Sequence, residues 1–466
     1  MPLFRLSTVV LALALAGCAV GPDYKGAPAV DTPAAFKQGQ GEWVAAAPAD
    51  ALERGPWWQL FNDPGLNALA QRVEVNNNSI AAAVAGYTQA RAVTAEQRAS
   101  LFPSVSLDGS GTRAGGRGDT PEATGYRLGI GASWEPDVFG RLRRTVQGTS
   151  AGEQASQADL AAVRLAIQGE LAVNYFKLRL ADLQRGITRD TIAGYERAYQ
   201  IASNRYTAGI AARTDQLQAQ TQLTNARADL LILDRVRAQL EHAIAVLVGQ
   251  SPANFALAPQ EGWQPFVPAL PLSLPSTLLQ RRPDIASAER RVAQANEQIG
   301  VAISGYYPSF RLSGAAGTGA ASIGDLFNAS ALVWSLGASL AQTIFDAGAT
   351  GARVDQRRAA FEQVSANYRQ TVLTAFKDVE DQLVATRLLA LQLALRQQAG
   401  AAADLVEQQV LNRYQAGQVN YTEVITAQAT AANTRRSILE AQVDRQTAAV
   451  ALIQSVGGGW TGIETN

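Results

Sequence analysis

The chain has 466 residues, 47% of them apolar and 17% charged, with 40 Lys and Arg against 40 Asp and Glu. That is enough apolar chain for a large core rather than a disordered tail, and the lack of basic excess argues against nucleic acid as a partner. One Cys, one His and one Met exclude a disulfide framework, Cys/His zinc or catalytic pairs and a thioether site for soft metals.

Residues 1–17 read as a secretory signal. Arg5 supplies the positive start, and 9–16 is an unbroken apolar run too short to span a bilayer. The segment closes with Leu15-Ala16-Gly17-Cys18, which resembles the lipobox of bacterial lipoproteins. The resemblance implies cleavage before Cys18 and acylation of its thiol, and several acyl chains anchor stably where one does not. Ala19 follows rather than Asp, which by the same resemblance favours the outer membrane.

The 18 prolines divide the rest. None lies in 137–251 or 309–466, and long proline-free stretches rich in Ala, Gln, Leu and Arg read as long helices. Apolar residues step by three or four at Leu160, Val163, Ile167, Leu171, Tyr175 and Leu178, and again from Phe361 through Val372 to Leu383. This is a coiled-coil-like seam. A helix over 141–205 is roughly 95 Å long, more than a compact globule needs. His242 on such a helix reads as a packing residue.

Four segments have period two instead. Tyr126, Leu128, Ile130, Ala132 and Trp134 alternate with Arg127, Gly129, Gly131 and Ser133. Trp334, Leu336, Ala338 and Leu340 repeat the pattern, and shorter versions start at Ser104 and Phe310. Gly-rich loops at 114–124 and about 319–330 join each pair. These are strands of the length and aromatic flanking seen in membrane β-strands, or else an amphipathic sheet on a soluble core. The Gly109-Ser110-Gly111 run after a strand mimics a dinucleotide fingerprint, but no helix follows it.

The two halves repeat. Phe102-Pro103-Ser104 matches Tyr307-Pro308-Ser309. Arg205-Tyr206-Thr207-Ala208-Gly209 matches Arg413-Tyr414-Gln415-Ala416-Gly417 at an offset of 208, as does Val248-Gly249 against Val456-Gly457. Each half reads as helix, strand, strand, long helix, turn, helix. The expected organisation is a signal at 1–17, an N-terminal anchor and equatorial segment at 18–70, repeats at 71–251 and 276–460 around a Pro-rich linker at 252–275, and a tail at 461–466. Four strands cannot close a barrel, and lipid does not tolerate a bare sheet edge, so membrane strands would demand a dimer or trimer.

Several blocks together carry a resemblance. They are Cys18-Ala19-Val20-Gly21-Pro22-Asp23-Tyr24, Trp57-Trp58, Arg281-Arg282-Pro283-Asp284-Ile285, Tyr307-Pro308, the two Arg-Tyr-x-Ala-Gly turns, Ala427-Gln428 and Gly457-Gly458-Gly459-Trp460. The chain resembles the outer membrane factors of tripartite efflux systems, the TolC-like channels, and within them the NodT-type lipoproteins. The resemblance implies an α+β membrane protein, in which a homotrimer builds a 12-stranded β-barrel in the outer membrane and an α-helical coiled-coil barrel through the periplasm. It implies a passive exit duct without cofactors, partnered by a periplasmic adaptor and an inner-membrane transporter of the resistance–nodulation–division class. A type I secretion duct and a structural, envelope-bridging coiled-coil lipoprotein are the alternative readings. The near-absence of Cys and His and the lack of a nucleophile motif argue against an enzyme.

Carried over by motif, Tyr414 and Asp215 resemble a contact that holds the periplasmic tip closed, and Glu423 an acidic ring at the pore. Arg205, Tyr206, Gly209, Arg413 and Gly417 form the tip turns that the adaptor would meet. The chain departs from the pattern at Thr426, where a second acid is expected, and at Val419, where some members carry arginine. The plainer alternative makes Tyr206 and Tyr414 packing residues and Glu423 a solvated helix charge, and Gly209 and Gly417 read as left-handed caps alongside any docking role.

Overall fold

A computed structural model describes residues 19–33, 35–38, 56–115, 123–268, 282–328 and 332–458. Cys18, Arg281, Gly459, Trp460 and most of the 114–124 loop lie outside the described residues. In chain order the elements are α1 (Pro64–Asn76), α2 (Asn78–Ala99), β1 (Ser104–Ala114), β2 (Ala123–Trp134), α3 (Arg141–Thr207) and α4 (Arg213–Leu247). Then follow α5 (Pro283–Ile303), β3 (Ser309–Ala320), β4 (Leu332–Ala341), α6 (Ala349–Gln415) and α7 (Tyr421–Ser455).

The duplication is visible in the element lengths. Helices α3 and α6 have 67 residues each, and α4 and α7 have 35 each. Three glycine pairs spaced by 208 share a positive φ: Gly140 and Gly348, Gly209 and Gly417, Gly249 and Gly457. The second and third pairs close helices by the same device. Ile210 N–H reaches back to Arg205 O, Gln418 to Arg413 O, Gln250 to Ala245 O, and Gly458 to Ile453 O, satisfying carbonyls the helix leaves orphaned. The starts repeat too. Asp137 accepts from the backbone N–H groups of Leu142 and Arg143, and Asp346 from those of Gly348 and Thr350. The Thr350 hydroxyl, which donates to Asp346 at 2.6 Å, and these backbone donors hold the half-buried Asp346 carboxyl below the usual carboxylate range.

The contacts divide the chain into two units. One gathers the described parts of Met1–Val30, with Ala85–Ala158 and Ile285–Thr371. It contains the sheet, a single antiparallel meander in the order β1-β2-β3-β4. Strand β2 of the first repeat pairs with β3 of the second, from Tyr126↔Ala320 to Trp134↔Leu312. All four strands are found where alternation predicts them, and β1 and β3 run six to seven residues beyond the alternating segments. Their far halves are built of Gly, Ala, Ser and Thr, with Arg113 near the end of β1, so hydropathy does not oscillate there.

The other unit gathers Asp31–Val84, Asp159–Asp284 and Val372–Asn466. Its core packs Trp57, Phe61, Leu66, Tyr175, Phe176 and Ile244 with Val450. Asp63 is the polar centre of this core. It caps α1 through Gly65 and Leu66 N–H, and it accepts from Tyr175 Oη and Trp263 Nε1, both at 2.8 Å. A buried carboxylate needs that many donors to offset its lost hydration. Asp182, fully buried, is met by Arg179 at 3.0 Å, Arg237 at 2.7 Å and the Gln260 N–H at 3.1 Å, which fixes the chain that leaves α4. Arg282 of the Arg-Arg-Pro-Asp-Ile block bridges Asp284 and Asp378 and donates to the Ser455 carbonyl that ends α7. The motif is therefore a helix-end clamp, with Pro283 in the first helical position where proline is tolerated.

Candidate functional site

The sheet has two unlike faces. Register places Val105 opposite Ala132, Leu107 opposite Ile130, Trp134 opposite Leu312, and Leu312 opposite Ala338. Extended across all four strands, this face carries Val105, Leu107, Leu128, Ile130, Trp134, Phe310, Trp334, Leu336 and Leu340. The opposite face carries Ser104, Ser106, Asp108, Ser110, Arg127, Ser133, Arg311, Ser313, Ser335 and Ser339, interleaved with glycine. Strands of 11, 12, 12 and 10 residues match the 9–11 or so that a tilted strand needs to cross hydrocarbon. Leu107 is 71% exposed, Trp334 72% and Leu336 81%. In water such a surface aggregates, whereas in lipid it is solvated. Strands β1 and β4 are the edges, and their outer backbone groups have no strand partner among the described residues.

The second region is the end of the helical hairpins, within the second unit. Here Tyr414 and Tyr421 pack at 5.4 Å with Ala198, Ala202, Ala219 and Val424. The Arg205 guanidinium lies 5.0 Å over the Tyr414 ring, a cation–π contact. The repeated turns are not equivalent, since Tyr414 is buried and Tyr206 is 40% exposed. Arg413 is exposed as well. Gly209 and Gly417, with φ of 72° and 75°, are open to their surroundings. Burial pushes the Tyr414 and Tyr421 phenols above their ordinary range. Arg205 opposes the shift at Tyr414, and nearby Asp215 adds to it at both.

Asp215 and Glu423 occupy the same place in the repeat, each in the first turn of its helix. An acid there is stabilised by the helix dipole. Glu423 is exposed. Its N–H is capped by Asn420 Oδ1 at 3.1 Å. With Asn420, Val406, Val410, Thr426 and Thr430 it lines an open cavity of about 400 Å³.

The structure brings Arg205, Asp215 and Tyr414 together, but the Asp215–Tyr414 hydrogen bond is not formed. The Tyr414 hydroxyl is buried without a partner among the described residues. Arg205, an expected docking residue, is half-buried and stacks on the Tyr414 ring. Tyr421, the largest fully buried residue of this cluster, was missed, although Tyr at the first position of a helix after Asn420 was a usable signal. His242, read as packing, is exposed on this chain. Among the described residues no cluster of His, Cys, Asp and Glu could hold a metal ion, and no helix is long and apolar enough to cross a membrane.

Comparison with known proteins fits this geometry. The family model for outer membrane efflux proteins matches residues 69–250 and 274–458. The chain is 30% identical to the cation efflux system protein CusC of Escherichia coli O6:H1, over 98% of this chain and 99% of that protein. It is 30% identical to the antibiotic efflux pump outer membrane protein ArpC of Pseudomonas putida, over 98% and 95%. Among solved structures, the open state of the Neisseria gonorrhoeae MtrE outer membrane channel superposes with a TM-score of 0.85 at 27% identity, covering 96% of this chain and all of that one. The lipid-ready face of the sheet, the long duplicated helices and these likenesses agree: the chain belongs to the outer membrane efflux protein family and is an outer membrane efflux channel subunit extending into the periplasm.

Proposed function

We propose that three copies of the chain join β1 to β4 edge to edge, closing a 12-stranded barrel with the apolar face in lipid and the Ser/Gly face around an aqueous bore. The observation that carries this reading is the sheet itself, with one continuous apolar face, one small polar face and two edges that no strand covers among the described residues. Unpaired backbone groups in hydrocarbon cost several kcal/mol each, and a single chain has too few strands to close on itself. The helices form the periplasmic duct. A periplasmic adaptor meets the exposed turn residues Tyr206, Gly209, Arg413 and Gly417. An inner-membrane transporter of the resistance–nodulation–division class supplies the energy, and the channel itself does no chemistry. Acylation of Cys18 adds a lipid anchor. The tip is held shut by Arg205 stacked on Tyr414, with Asp215 beside them.

Relatives at the same 30% identity carry names for cation and antibiotic efflux, so the reading leaves cargo choice to the partners upstream. The test is reconstitution of purified protein in planar bilayers, with native mass measured in parallel. Stable trimers with discrete conductance steps are expected. A trimer that inserts but never conducts would turn the reading toward an envelope-bridging role.

A further inference from the structure

Residues 20–24, immediately after the proposed anchor, are built into the first unit. Val20 N–H donates to Phe139 O at 3.0 Å. The Phe139 ring stacks on Tyr307 at 4.8 Å and lies 6.4 Å from Phe310 in β3. The segment therefore docks where the chain leaves the sheet. What holds it there is Arg144, which is 2% exposed.

All five guanidinium N–H donors of Arg144 are used. Nε donates to Val20 O at 2.6 Å. Nη1 donates to Pro22 O at 3.0 Å and Glu297 Oε2 at 2.8 Å, and Nη2 to Gly21 O and Asp23 Oδ1, both at 3.1 Å. Asn296 Nδ2 adds a second bond to Pro22 O. Four of the five acceptors on Arg144 belong to the segment. Without it, a buried cation would keep only Glu297, and leaving donors of a buried charge unpaired is strongly unfavourable.

The fit is steric as well as polar. Gly21 has φ +102°, and a Cβ there would sit 2.5 Å from Gly300 Cα. A Cβ on Gly300 would sit 2.2 Å from Arg144 Cδ, and one on Gly140 2.7 Å from Ala19 Cβ. The second repeat lacks the device. The positions 208 residues on from Gly140 and Arg144 are Gly348 and Ala352, and a Cβ on Gly348 would meet nothing within 4 Å.

We infer that Arg144 is a positioning residue that locks the Val20–Asp23 segment at the base of the sheet, so that an acyl group on Cys18 is held at the level of the strands on a tether without slack. Two residue steps, through Ala19, lead from Cys18 to Val20, a reach of about 7 Å at most. A short rigid tether keeps the unassembled strands at the membrane surface at high effective concentration, and a loose one dilutes them. The lock acts on the rate of barrel assembly rather than on conduction. This rests on the lipidation reading of Cys18.

The test crosses strap and anchor. Gly21→Val undocks the segment from its own side without altering the groove, and Arg144→Gln does so from the groove. Each is placed in the Cys18 chain and in a Cys18→Ser chain exported by a non-lipid signal. Appearance of heat-resistant trimers after a pulse of labelled leucine is followed, since the one Met leaves with the signal, with hydrogen exchange at the Val20 amide. In the acylated chain Gly21→Val should slow trimer formation several-fold, leave the final amount unchanged and expose the Val20 amide. In the Cys18→Ser chain it should add no further delay. Equal slowing in both chains, or none in the acylated one, overturns the inference. Labelled palmitate separates the two layers: an unlabelled wild-type chain removes the anchor itself, whereas a labelled chain indifferent to Gly21→Val removes only the lock.

Discussion

Tyr414 shows how burial and hydrogen bonding part company at a single residue. It is 3% exposed, packed on Tyr421 and covered by Arg205, yet its hydroxyl has no partner among the described residues. Burying an unmade hydroxyl costs about 1–3 kcal/mol. Tyr414→Phe should therefore leave thermal stability unchanged or slightly raised and conductance unchanged. Arg205→Ala, which strips the cation from the ring, should raise mean conductance in planar bilayers. The reverse order would show that the hydroxyl finds its partner only in the assembled channel. Tyr421 offers a pH test. Burial raises its phenol above the ordinary 10.0, with Tyr414, Tyr195 and Asp215 adding to it, and burial likewise raises Tyr175. Between the unfolded and folded values the folded chain keeps protons that the unfolded chain has released. Stability from these groups is thus complete below pH 10.0 and falls as pH rises beyond it. Melting temperature should drop above that pH, and less steeply in Tyr421→Phe.

The glycine caps show what an element's end costs. Gly209, Gly249 and Gly417 all have positive φ near 70–75°, a region that costs an L-residue with a Cβ about 1–2 kcal/mol. Gly209 and Gly417 have nothing within 4 Å of an added Cβ, whereas at Gly249 it would lie 2.3 Å from Asn76 O. Gly209→Ala should lower the denaturation midpoint by about that strain alone, and Gly249→Ala by distinctly more, because backbone must move. Equal effects would mean Asn76 yields freely. Much of this level was legible in the sequence. Proline-free stretches and a heptad-like seam marked the long helices, since Leu171, Tyr175, Leu178, Val372 and Val379 are buried where the spacing put them. The far halves of β1 and β3 were not legible, because small residues carry no hydropathy signal in either period. Arg144 was invisible for another reason. Its five acceptors are mostly backbone carbonyls over 120 residues away, and carbonyls have no sequence signature. The Arg-Tyr-x-Ala-Gly turns read alike, yet Tyr206 is exposed and Tyr414 is buried, because Tyr414 packs into the cluster of Ala198, Ala202, Ala219, Tyr421 and Val424.

At the scale of the whole molecule, Glu423 is where the single chain and the assembly give different readings. In one chain it is a first-turn acid beside its cap Asn420, exposed and without an ion-pair partner among the described residues. A helix-dipole role alone is worth about 0.3–1 kcal/mol and dies away within a turn. In the proposed trimer three such carboxylates approach the symmetry axis, where mutual repulsion and a shared field concentrate cations. Asp215 is the internal control. It holds the same first-turn position in the first repeat, with the same dipole benefit, but sits beside the Tyr414–Tyr421 cluster. Glu423→Gln should lower cation-over-anion permeability and weaken block by trivalent cations added from the periplasmic side. The effect should be largest at low salt, since charges more than about 10 Å apart are screened at 0.1 M ionic strength. Asp215→Asn should leave selectivity as it is. If both variants shift selectivity alike, or neither does, Glu423 is a helix-start acid and the constriction lies elsewhere. With Thr426 in place of a second acid, one ring carries the whole charge, so a single substitution should remove most of the selectivity rather than a share of it.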